Sequence, residues 1–119
     1  IYLTGRLISL IRQNGADVVN VGSTVGTKAY PDQCAYGASK WALRGVSENL
    51  RIELKGTASR IIQFNPGGFK SRIAEKATGV SADLSAYMNP IDLAKTMFFI
   101  LQLPKQVEVS EILINRKSA

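Results

Sequence analysis

Histidine is absent from this 119-residue chain, so Ser-His-Asp and Cys-His arrangements are impossible and few side chains remain that titrate near neutral pH. Cysteine is nearly absent as well. Cys34 stands alone, which excludes an internal disulfide and a cysteine-based zinc site and suits a reducing, cytoplasmic setting. With no imidazole to activate it, its thiol reads as a packed or semi-exposed side chain rather than a nucleophile. There is no run of about 18 apolar residues and no secretory-leader layout, so neither a membrane span nor export is expected. Internal repeats, low-complexity tracts and linkers are missing too, and 45% hydrophobic with 20% charged residues suits a single globular domain with a real core.

What the chain does contain is a set of three polar side chains: Ser23, Tyr36 and, four residues further, Lys40. Residues at i and i+4 share a helix face, so the lysine's charge acts on the phenol. A phenol ordinarily titrates near about 10, so proton exchange at neutrality calls for about 4 kcal/mol of extra stabilisation of the phenolate. A neighbouring ammonium has the right sign to supply it. The serine hydroxyl has a different use, since it can hydrogen-bond a carbonyl or alkoxide oxygen and hold it within reach of the phenol without ionising. Of the four tyrosines, only Tyr36 has a lysine at this spacing.

The surroundings place these residues together. Residues 17–22 read as a short buried strand that ends at Ser23, where a loop of small residues begins. Residues 60–65 read as a second strand, ending at Pro66, Gly67 and Gly68. A helix over 35–56 lies between them, which makes a strand-helix-strand unit and a parallel pair. Ligands of open parallel sheets bind beyond the carboxyl ends of the strands, where Ser23 and Pro66-Gly67 both fall.

These residues resemble the short-chain dehydrogenase/reductase family. The matching pieces are Val19 to Ser23 with Gly26, then Tyr36 to Lys40, then Asn65 to Ser71, in the family's order and spacing. The resemblance implies a three-layer α/β fold, a Rossmann-like parallel sheet with helices on both faces, of which this chain holds about three strands and three main helices. Residues 1–119 would form the carboxyl-terminal part of a single NAD(P)-binding domain. It implies an oxidoreductase that interconverts an alcohol and a carbonyl on a small molecule with NAD or NADP. Ser23 would orient the substrate oxygen, Tyr36 would be the general acid/base, and Lys40 would favour the phenolate while binding the nicotinamide ribose. Pro66, Gly67, Phe69 and Ser71 correspond to positions that wrap the nicotinamide end.

The sequence also departs from the family. Its glycine-rich dinucleotide fingerprint, which lets backbone approach a pyrophosphate at a helix N-terminus, has no counterpart, since Thr4-Gly5 and Thr78-Gly79 are isolated pairs. The family's catalytic asparagine has no candidate either. These 119 residues by themselves are therefore expected to bind a nicotinamide cofactor weakly and not to turn over substrate. The alternative reading is a truncated, non-catalytic relative that serves as an assembly or binding module.

Further elements are expected as a helix over 2–14, a short turn or helix after Ser71, a helix over 90–103 capped by Asn89 and stopped by Pro104, and a strand over 107–115. Ser71 is also a candidate cap for the short helix. In the helix over 90–103, Ala94, Met97, Phe98 and Leu101 form the expected core stripe. In the helix over 35–56, Ser39, Leu43, Val46, Leu50 and Leu54 are expected to face the sheet, and Arg44, Glu48, Arg51 and Lys55 to face solvent. Ala38, Trp41, Ala42, Gly45, Asn49 and Ile52 make a second, small and apolar stripe that suits a homodimer or tetramer interface. Family members commonly associate through this helix and the one before it. The net charge of +6 is spread from Arg6 to Lys117 without a block, as on a solvated surface that also helps to draw in a phosphate-bearing cofactor. No basic stripe with interleaved aromatics points to nucleic acid.

Overall fold

Three short apolar runs, each separated by a helical segment, fold as one parallel sheet in a computed structural model that describes residues 1–81 and 83–117. The order is α1 (Tyr2–Asn14), β1 (Val18–Val21), a 3-10 turn (Thr24–Gly26), α2 (Cys34–Glu53), β2 (Ile61–Pro66), α3 (Ile73–Thr78), α4 (Pro90–Gln102) and β3 (Glu111–Ile114). The strands lie in the order β1-β2-β3, with Val18 opposite Ile61 and Gln63 opposite Glu111. The central strand β2 is buried along its whole length.

Side chains alternate across a strand, and β2 uses both faces. Ile61 joins Ile11 of α1, Leu50 of α2 and Leu54 just past its end in one core, flanked by Ile8, Ala16, Val18 and Val46. Ile62 and Phe64, each 1% exposed, point the other way. Arg60 shares their side and reaches the carbonyls of Leu101 and Leu103 at 2.9 Å each, which puts α4 on that face. The result is a three-layer, Rossmann-like α/β arrangement with helices on both faces. Because the strands advance in one direction while α2 and α4 cover opposite faces, the two crossovers have opposite hands, a departure from the usual right-handed rule. Arg60 secures the departure: buried, it satisfies carbonyls at the end of α4 and pairs with Asp17 at 2.7 Å.

Local signals explain the boundaries. Gly15 closes α1 with φ 58°, a left-handed conformation that glycine adopts freely, and Ala16 donates back to the Ile11 carbonyl at 3.0 Å. Asn89 caps α4 by accepting from the Ile91 N–H, and Pro90 takes the first helical position. α2 ends at Glu53, not at 56, because Leu54 to Gly56 form a turn in which Gly56 has φ 81°. β3 begins at Glu111, not at 107. Residues 107–110 meet their hydrogen bonds otherwise: Val107 N–H turns back to Pro104 O, Arg60 takes Val107 O, and the Glu108 carboxylate accepts the Ile61 N–H at 3.1 Å.

Three face assignments need correction. In α4 the buried residues are Leu93 and Ile100, while Ala94, Phe98 and Leu101 are exposed and Met97 is half-buried; the helix is rotated by one position from the expected stripe. In α2, Ser39 is exposed and Ser47 is fully buried in its place. Arg44 and Arg51 leave the expected solvent face to pair with Glu111 at 2.8 Å and Glu108 at 3.1 Å, which ties α2 to β3 and its approach. Finally, Ser71 does not cap α3; Arg72 holds that position with no side-chain capping bond.

Candidate active site

A cavity of about 570 Å³ opens beyond the carboxyl ends of β1 and β2. Its walls include Ser23, Tyr36, Lys40, Pro66, Gly67, Phe69 and Ser71, so one space brings together all seven residues singled out in the sequence. A volume of this size is ordinary for a small-molecule site.

Ser23 is placed by what precedes and follows it. Gly22 makes the last ladder bond of β1, its N–H donating to Phe64 O at 2.7 Å. A side chain at Gly22 would collide with the amides of Gln63 and Asn65, so only glycine lets β1 run this close to β2 before the turn. Ser23 then starts the 3-10 turn, its Oγ accepting the Val25 N–H at 3.3 Å. That bond uses an oxygen lone pair and leaves the hydroxyl proton free to donate.

Tyr36 sits in the first turn of α2 with its ring in the cavity wall, 39% exposed. Lys40 follows one turn later, half-buried, and its Nζ donates to Val21 O, the last carbonyl of β1, at 3.4 Å. The same ammonium lies 5.5 Å from the centroid of the Tyr36 ring. The strand end thus holds the lysine beside the phenol. Gly26 brings the 3-10 turn against the Lys40 backbone, so helix and turn are fixed to each other.

The opposite wall grows from β2. Gly67 N–H donates to Ile114 O at 2.7 Å, after which Phe69 pairs with Met88 through Lys70 N–H to Met88 O at 2.9 Å. This bridge folds residues 84–88 back over the cavity and lays the Tyr87 ring on Gly68. Sequence reasoning did not find Tyr30, Gln33, Leu84 and Tyr87 in the lining, because loop paths bring them there.

Other titratable features lie elsewhere. The Asp17 carboxyl is held at about 2, first by its hydrogen bonds with Arg60 and also by Lys105 at 2.7 Å, but it belongs to the opposite end of β1. Cys34 is exposed and lines a separate hollow of about 150 Å³ with Trp41. Among the described residues no group of His, Cys, Asp or Glu could hold a metal ion, and no helix is long and apolar enough to cross a membrane.

The short chain dehydrogenase family profile matches residues 2–80, and the chain belongs to that family. Among its relatives, the NADP-dependent 3-hydroxy acid dehydrogenase YdfG of Escherichia coli is 30% identical over 94% of this chain and 49% of its own length. Sulfoacetaldehyde reductase of Chromohalobacter salexigens is 35% identical over 82% of this chain and 42% of its own. Among solved structures, the closed form of serine dehydrogenase complexed with NADP+ superposes with a TM-score of 0.83 at 26% identity, covering 95% of this chain and 49% of that one. The chain spans about half the length of the curated relatives it matches.

Proposed function

We propose that this chain is the carboxyl-terminal part of a single NAD(P)-binding domain in an oxidoreductase that interconverts an alcohol and a carbonyl, with Tyr36 as general acid/base. The observation that carries the reading is the convergence of Ser23, Tyr36 and Lys40 with the Pro66-Gly67 turn on one cavity. The chemistry of the walls fits the nicotinamide end of such a cofactor: Pro66 and Phe69 offer apolar surface to a flat ring, Gly67 brings backbone close, and Lys40 offers an ammonium to ribose hydroxyls. Ser71 completes that side. Bound here, a nicotinamide cofactor supplies the hydride in reduction and accepts it in oxidation.

The residues of this chain manage the oxygen and its proton. The free Ser23 proton donates to the substrate oxygen and fixes its position. In reduction, the Tyr36 hydroxyl gives its proton to that oxygen as negative charge develops on it. In oxidation the phenolate takes the proton back. Lys40, tied to Val21 O, stabilises the phenolate in both directions and need not itself give up a proton.

Tyr36→Phe in the full-length protein tests the assignment, because it removes the hydroxyl and keeps the ring. The turnover of a carbonyl substrate should fall by about 10² to 10⁴, with cofactor affinity little altered. Near-normal reduction by this variant would sink the assignment. The exposed stripe of α2 supports a further part of the reading, that the protein forms a homodimer or tetramer through this helix.

A further inference from the structure

The cavity of about 570 Å³ and the hollow of about 150 Å³ beside Cys34 and Trp41 are separate spaces, yet Val25, Tyr30 and Gln33 line both of them. These three side chains are a shared wall. Tyr30 is the largest of them, so its ring forms the bulk of the partition.

The local sequence fixes that ring in place. Pro31 confines Tyr30 to extended backbone. Asp32 then takes φ 56°, a left-handed conformation that aspartate tolerates better than most side chains, and turns the chain into α2, where Gln33 O accepts the Gly37 N–H at 2.6 Å. The turn brings Tyr30 and Gln33 to one wall, and Lys28 Nζ lies over the Tyr30 ring, 5.2 Å from its centroid.

The two spaces differ in chemistry. The cavity holds the reacting groups, Ser23, Tyr36 and Lys40. Beyond the partition the hollow is walled by Ala29, Cys34, Gly37, Ala38 and Trp41, none of which lines the cavity, and among the described residues no charged side chain lines it. Such a surface suits an apolar chain and offers nothing to a reacting or charged group. The hollow has no task in the fold or in the proton transfer.

We propose that Tyr30 is a specificity-determining residue: its ring ends the substrate space at the cavity and bars the hollow to the apolar chain of a carbonyl or alcohol substrate. A chain short enough to stop at the ring is accepted and a longer one is refused. With the ring removed, the hollow becomes a binding site for the far end of the chain. The proposal rests on the oxidoreductase reading for what reacts, but the partition is a property of binding and is measured separately. Each methylene moved from water into the hollow is worth about fourfold in affinity.

Straight-chain methyl ketones of four to ten carbons, titrated calorimetrically into the full-length protein saturated with its cofactor and then assayed for turnover, test it. Wild type and Tyr30→Phe should bind best at the same short length, because both keep the ring. In Tyr30→Ala the best length should move up by two or more carbons, with affinity for the longest ketones relative to the shortest rising by at least about tenfold. Tyr30→Leu should fall between. Tyr30 is 39% exposed in a loop, so these substitutions leave the core intact. Cys34→Phe refills the hollow from its far side, and it should cancel the gain of Tyr30→Ala while leaving the order of lengths in the wild type unchanged. The same order of lengths in Tyr30→Ala as in the wild type, a gain that survives Cys34→Phe, or no binding of any ketone to either protein would overturn the proposal. A best length that shifts in binding with no turnover of any ketone would instead count against the oxidoreductase reading and leave the partition standing; turnover with the order unmoved would do the reverse.

Discussion

Asn65 donates from Nδ2 to Oε1 of Glu111 at 2.8 Å, and the same oxygen accepts Nε of Arg44 at 2.8 Å. The chain of bonds continues inward. Asn65 Oδ1 accepts from Gln63 Nε2 at 2.7 Å, Gln63 Oε1 accepts from the Ser47 hydroxyl at 2.6 Å, and Ser47 Oγ accepts from Asn20 at 2.8 Å. All three strands are thereby linked to α2, with Ser47, Gln63 and Asn65 almost wholly removed from water and Asn20, Arg44 and Glu111 partly exposed at its ends. Because the Gln63 and Asn65 amides lie against Gly22, this network also backs the turn that presents Ser23.

Asn65→Leu should therefore destabilise the protein by about 2 kcal/mol, because it leaves the buried Gln63 amide without its acceptor and takes one of two donors from Glu111 Oε1. The midpoint of denaturant unfolding measures the loss. An unchanged midpoint would mean that the network carries no net stability.

Asp17 and Arg60 give a dependence on pH. The folded carboxyl titrates at about 2 against an ordinary 3.8, because Arg60 and then Lys105 favour its charged form. A depressed carboxyl contributes stability that is present above the unfolded value and lost as pH falls toward the folded one, so the window runs from about pH 4 to pH 2. The contribution is about 2 kcal/mol. Unfolding followed across that window should show the decline, and Asp17→Asn should flatten it while lowering stability at neutral pH, since Arg60 then lacks its anion. An equally steep decline in Asp17→Asn would assign the acid sensitivity to other groups.

The parts of this architecture that were legible in the sequence are those set by local geometry. Tyr36 and Lys40 meet because they are one helical turn apart. Ser23 and Pro66 stand close together because Ser23 lies just beyond β1 and Pro66 ends β2, its parallel partner. The face of α4 was not legible, because its rotation answers to Arg60, which reaches carbonyls more than 40 residues away. Nor was the inward course of Gln63 and Asn65. A strand containing two amides reads as half-polar until Ser47 and Glu111 arrive to satisfy them, and those partners come from other elements. Tyr30 and Tyr87 reach the cavity through loop paths for which composition gives no rule.

The stripe of Ala38, Trp41, Ala42, Gly45, Asn49 and Ile52 remains uncovered, with every member exposed. Trp41 is 48% and Ile52 73% exposed, and nothing lies within 4 Å of the position a side chain would take at Gly45. Small residues beside a large aromatic let another helix approach closely and give it an anchor. If two copies meet here, each Trp41 becomes buried, and Trp41→Glu would bury an unpaired charge in its place. Sedimentation of the full-length protein at micromolar concentration should show a dimer or tetramer for the wild type. The variant should dissociate at concentrations at least about tenfold higher, which corresponds to a loss of only about 1.4 kcal/mol. Its unfolding midpoint should be unchanged at concentrations where both proteins are monomeric, because Trp41 is half open to water within the single chain. A wild-type monomer, or a variant that assembles as well as the wild type, would remove this helix face from consideration as an interface.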